Sequence, residues 1–121
     1  MKNTLRVRIN LHHTYDMETF HDIVSGCKTL LERHYGAQLK GLVLYGSMAR
    51  DQAEPESDID LLVLLSEPFD YFLELRRIVD ILYPLQLETD RLISAKPVSL
   101  NDFEQGRFLL YRNAKREGVL V

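Results

Sequence analysis

Eight residues, Asp58-Ile59-Asp60-Leu61-Leu62-Val63-Leu64-Leu65, constrain this chain more than any other stretch. From Leu61 onward the run is unbroken, branched and apolar, so as a strand it must be covered on both faces. Its polar start is the anomaly, because two carboxylates stand at the mouth of an otherwise buried element. A second short β-rich run, Leu42-Val43-Leu44-Tyr45, stops abruptly at Gly46. Residues 47–57 between the two are small, charged and Pro-containing, and read as a loop with at most one helical turn.

Around these strands the apolar spacing turns helical. Met17, Phe20, Ile23, Val24, Cys27, Leu30, Leu31 and Tyr35 mark one face of a helix over 16–35, with Gly36 as its stop. Phe69, Phe72, Leu75, Ile78, Val79 and Leu82 predict another helix, N-capped by Ser66 and closed before Pro84. A third strand is expected at about 86–94. A short helix follows, capped by Ser99 and running through Glu104, then a last helix at about 107–117 ending at Gly118. The order α, β, β, α, β, α predicts an α/β (α+β) fold, a small mixed β-sheet of about three to four strands packed with helices, as one domain over 1–121.

Composition narrows the function. A net charge of −3 and a pI near 5.8 argue against a protein whose main task is to hold a nucleic-acid backbone, so no direct nucleic-acid partner is expected. No window approaches eighteen apolar residues and the N-terminus carries early charges, which predicts a cytoplasmic protein with no membrane partner. The single cysteine, Cys27, sits on an apolar helical stripe and reads as core. His12, His13, His21 and His34 are not spaced to share a metal, and Tyr71, Phe72 and Tyr83 read as helix packing rather than a base-stacking platform.

Strand alternation puts Asp58 and Asp60 on one face, about 6–7 Å apart. At an effective dielectric of about 20 their repulsion is about 2–3 kcal/mol, a cost that hard, oxygen-seeking Mg²⁺ would offset. If the two strands run antiparallel, Gly46 and Ser47 meet that pair at one edge. Gly46 removes a side chain where a phosphate must approach, and Ser47 offers a hydroxyl and an N–H near a helical turn. Arg50 either supports phosphate charge or pairs on the surface with Asp51 or Glu54. A centre with two Mg²⁺ ions needs a further carboxylate. On the expected third strand Gln86, Glu88 and Asp90 share a face, and Asp90 is the preferred third ligand, with Glu88, or no ligand from this strand, as the alternatives.

Residues 46–60, G-S-M-A-R-D-Q-A-E-P-E-S-D-I-D, resemble the G-S-x10-D-x-D signature of the DNA polymerase β-type nucleotidyltransferase superfamily. Nearly the whole chain is similar to its small MNT-domain branch, including the Tyr111-Arg112-Asn113-Ala114-Lys115-Arg116-Glu117-Gly118 ending. The resemblance implies a polymerase β-like fold in which Asp58, Asp60 and a third acid bind two metals. It also implies that Gly46-Ser47 hold the β- and γ-phosphates and that pyrophosphate leaves after in-line attack on the α-phosphorus. Small MNT proteins resemble the antitoxin half of HEPN/MNT toxin–antitoxin pairs. The implied function is therefore transfer of AMP from ATP to a tyrosine of a HEPN-type ribonuclease toxin, with a partner presenting the acceptor. The alternative is a binding-only antitoxin that masks its partner.

Overall fold

In a computed structural model the structure describes residues 12–46, 49 and 57–121, the side chains of 12–19 excepted. The elements in chain order are α1 (His12–Tyr35), a 3₁₀ turn (Gly36–Gln38), β1 (Leu39–Tyr45) and β2 (Ile59–Leu65). They continue with α2 (Tyr71–Gln86), β3 (Ile93–Ser99), α3 (Leu100–Gln105), α4 (Leu109–Glu117) and β4 (Val119–Leu120). The four strands form one mixed sheet in the order β3-β2-β1-β4. β1 is antiparallel to both β2 and β4, whereas β2 and β3 run parallel across the α2 crossover. This is the mixed α/β architecture expected from the element order.

β2 is central, and its alternation feeds two cores. Ile59, Leu61, Val63 and Leu65 join Leu42, Leu44 and Ala95 against Ile23, Val24, Cys27 and Leu31 of α1 and Ile78 and Leu82 of α2. Leu62 and Leu64 point the other way, joining Val43 and Val98 against Phe103 of α3 and Ala114 of α4. Residues Leu61 to Leu65 are all at most 3% exposed, which is why the run contains no polar position. Cys27 is fully buried in the first core, as its place on the α1 stripe predicts.

One polar group crosses that core. Glu74, 6% exposed, accepts from the Tyr35 hydroxyl at 2.8 Å and from Arg77 Nη1 at 3.0 Å, joining α1 to α2. At the far end of the sheet, Ser66 N–H donates to the Gln38 carbonyl and the Gln38 side-chain amide donates to the Ser66 carbonyl. The entrance of β1 is thereby tied to the exit of β2.

Several sequence expectations need correction. Ser66 makes that tie rather than capping α2, whose N-cap is Asp70 accepting from Leu73 N–H at 3.0 Å. The helix passes through Pro84 to Gln86, because Leu87 N–H still reaches the Tyr83 carbonyl and Glu88 N–H the Leu85 carbonyl. The expected strand at 86–94 is therefore the end of α2 and a turn, and β3 lies at 93–99. Tyr71, Phe72, Val79 and Tyr83 are exposed rather than packed. α1 begins at His12, and β4 adds a strand that the expected element order lacked. The Ser99 cap of α3 is as expected, its hydroxyl accepting from Asp102 N–H.

Candidate active site

The antiparallel pairing of β1 and β2 sets Tyr45 opposite Asp60, so the end of one strand abuts the start of the other. Gly46, the next residue, has φ +79°, and a β-carbon built on it would lie 2.5 Å from Asp60 Oδ2. Glycine is required there twice over, by its backbone conformation and by the carboxylate standing where a side chain would go. Directly after it, Ala49 N–H closes a turn on the Gly46 carbonyl at 3.2 Å. Ser47 and Arg50, the other expected phosphate contacts, lie outside the described residues.

Parallel pairing brings the start of β3 to the same edge. Ile59 pairs with Ile93 and Asp60 with Ser94, and Ile59 N–H donates to the Leu92 carbonyl at 2.8 Å. Paired residues share a face, so Tyr45, Asp60, Ser94 and, one alternation further, Lys96 all project from the α3/α4 side of the sheet. Asp60 is the one residue of β2 that is not fully buried, and Asp58 just before it is exposed. Burial raises the Asp60 carboxyl above the ordinary carboxylate range, the Asp58 charge raises it further, and Lys96 opposes both. Tyr45 beside it is pushed up to about 12, by burial first and then by the Asp60 charge.

Two carboxylates that repel each other at a half-buried edge fit the donor chemistry of a divalent cation. The third acid is not assembled with them. Asp90 and Glu88 lie exposed in the turn after α2, and among the described residues no three of His, Cys, Asp and Glu are grouped to hold a metal ion. Their expected common strand face does not exist, because residues 87–92 are not a strand.

What that turn does instead is hold the edge in place. The Gln86 side-chain amide donates to the Arg91 carbonyl and accepts from Ile93 N–H, both at 2.8 Å. Thr89 Oγ1 accepts from Arg91 N–H, and Arg91 Nη1 donates to the Ser57 carbonyl at 3.0 Å, next to Asp58. Sequence reasoning missed Gln86, Arg91, Ser94 and Lys96. No local signal marked 93–99 as a strand, because Pro97 falls inside it; the pairing with β2 is what gives Ser94 and Lys96 a common face.

Among the described residues no helix is long and apolar enough to cross a membrane. A family model described as a nucleotidyltransferase domain matches residues 24–120. Over 45 residues the chain is 40% identical to a protein of Methanocaldococcus jannaschii provisionally named a protein adenylyltransferase. That match covers 37% of this chain and 45% of the relative's length.

Proposed function

Since the chain belongs to the nucleotidyltransferase domain family, we propose that it transfers AMP from ATP to a protein hydroxyl, with Mg²⁺ held by Asp58 and Asp60. The observation that carries the reading is the meeting of Gly46 with Asp60, itself beside the Asp58 charge, across two antiparallel strands. A backbone bare of side chain and a carboxylate pair at one edge are what a metal-bound triphosphate needs.

In the reaction an acceptor hydroxyl oxygen attacks the α-phosphorus and forms a new P–O bond. The bond from the α-phosphorus to the bridging oxygen breaks, pyrophosphate leaves, and the hydroxyl proton passes to solvent. Bound Mg²⁺ supplies charge neutralisation to the triphosphate. Asp58 and Asp60 hold the cation at the strand edge. Gly46 lets the phosphates approach the backbone, a role that Ser47 and Arg50 share in this reading, and Lys96 offsets excess negative charge beside Asp60. Asp90 would complete a two-metal centre only if the 87–92 turn rearranges. A tyrosine of a HEPN-type toxin is the acceptor we propose, on the resemblance to MNT antitoxins; the name of the archaeal relative supports a protein acceptor.

Incubation with Mg²⁺, labelled ATP and a HEPN-type partner tests this, with intact mass and peptide mapping as readout. The expected result is one or more AMP units on a partner tyrosine, lost in Asp58→Ala and Asp60→Ala. Neutralisation of the partner by both variants without any mass change would instead support the second reading, a binding-only antitoxin. That reading is favoured by the unassembled third acid.

A further inference from the structure

The C-terminal Tyr111–Gly118 segment has no role in the chemistry above, yet its helix faces the catalytic edge. Leu110, Asn113, Ala114 and Glu117 recur at the spacing of one helical face, and together with Tyr45 and Gly46 they line a cavity of about 240 Å³. Gly46 is therefore shared between the Asp60 carboxylate and this cavity.

The lining selects by chemistry. Leu110, Ala114 and the Tyr45 ring give apolar wall against which a planar ring can pack. Asn113 presents an amide whose oxygen accepts from Arg116 at 2.9 Å; among the described residues its N–H groups meet no protein acceptor. Glu117 is acceptor-only and is paired at 3.4 Å with Arg116. A phosphate would meet the Glu117 carboxylate unfavourably, whereas sugar hydroxyls and ring amines can donate to it. The cavity also lies beside Gly46, within reach of a ligand whose charged end is held at that edge.

We infer that this cavity is the nucleoside subsite, taking the base and sugar of the triphosphate between Tyr45 and α4, with Asn113 and Glu117 hydrogen-bonding to them. The inference rests on the nucleotide-transfer reading, and its test separates the two. Affinities for Mg²⁺-ATP and Mg²⁺-tripolyphosphate are measured by calorimetry on the wild-type chain, Asn113→Ala, Glu117→Gln and Asp60→Asn. Asn113→Ala and Glu117→Gln should each weaken ATP about tenfold without weakening tripolyphosphate, while Asp60→Asn weakens both. Hydrogen exchange on the wild-type chain gives a readout that needs no variant: ATP should protect 109–117 and tripolyphosphate should not.

If neither ligand binds the wild-type chain, the nucleotide-transfer reading falls and this subsite with it. If both bind equally well, or the α4 variants leave ATP affinity unchanged, only the subsite is overturned. Unchanged ATP affinity with lost transfer would give the cavity to the acceptor instead.

Discussion

Gly46 lies against Oδ2 of Asp60, so that a β-carbon at position 46 would stand 2.5 Å from the carboxylate. The two are separated in sequence by the whole 47–59 segment, and the antiparallel register of β1 and β2 brings them together. Gly46→Ala should therefore displace Asp60 as well as strain the backbone, costing about 1–2 kcal/mol for the left-handed conformation and at least about a hundredfold in transfer rate, of the order seen when a catalytic group is misplaced. Gly36→Ala is the matched control, because Gly36 also has positive φ, at +54°, but open space at its β-carbon position. It should lower the melting temperature without touching transfer, which thermal melts and the AMP assay together will show.

Asp60 and Asp58 repel each other in the cation-free protein, and burial makes Asp60 costlier to ionise. Asp60→Asn should accordingly raise the melting temperature in chelator at neutral pH while abolishing the stabilisation by Mg²⁺-ATP that the proposed function predicts for the wild-type chain. A variant that melts lower in chelator would show that Asp60 supports the fold instead.

The buried Tyr35 to Glu74 bond predicts an alkaline limit. Burial, then the hydrogen bond and charge of Glu74, raise the Tyr35 phenol well above its ordinary value of 10.0, against a smaller lowering by Arg77. A raised folded-state value means that the stabilisation is complete below the unfolded value and is lost as pH climbs above about 10. Tyr35→Phe should cost about 1 kcal/mol at pH 7 and flatten the fall in stability above pH 10. Denaturant titrations at both pH values measure it. Some slope should persist, since burial also pushes the Cys27 thiol up to about 12.

Arg91 reaches the Ser57 carbonyl beside Asp58, and Gln86 fixes the backbone on both sides of Leu92. Arg91→Met should lower kcat more than it raises the KM for ATP, because it loosens the position of Asp58 rather than the nucleotide contact. Gln86→Ala should cost about 1 kcal/mol by removing two hydrogen bonds to part-buried backbone groups. Equal losses in kcat and KM for the Arg91 variant would argue for direct contact with substrate.

β1, β2, the α1 stripe and the Ser99 cap were legible because each is written locally, in apolar period or in a capping residue. The Gly46 and Asp58/Asp60 juxtaposition followed from a short antiparallel connection. β3 was not legible: Ser94, Lys96 and Pro97 break the β-rich pattern, and the shared parity of Gln86, Glu88 and Asp90 mimics a strand although Gln86 ends a helix and the others lie in the turn after it. Asp90 was sought as a third ligand on that misplaced strand. The register in fact puts Ser94 and Lys96 on the face Asp60 uses, a fact of tertiary pairing with no local trace. Ser66 reads as the cap in sequence, but its contact with Gln38 across the sheet commits it elsewhere and Asp70 caps α2 instead.

The two cores that grip β2 also make its reactive end self-checking. A slip of one residue would turn Asp60 into the packed α1/α2 layer, where an unpaired carboxylate is costly, whereas the apolar residues of β2 would still face one core or the other. The burial of the strand thus fixes which way Asp60 faces, and the cost of burying that carboxylate weighs against the misregistered arrangement.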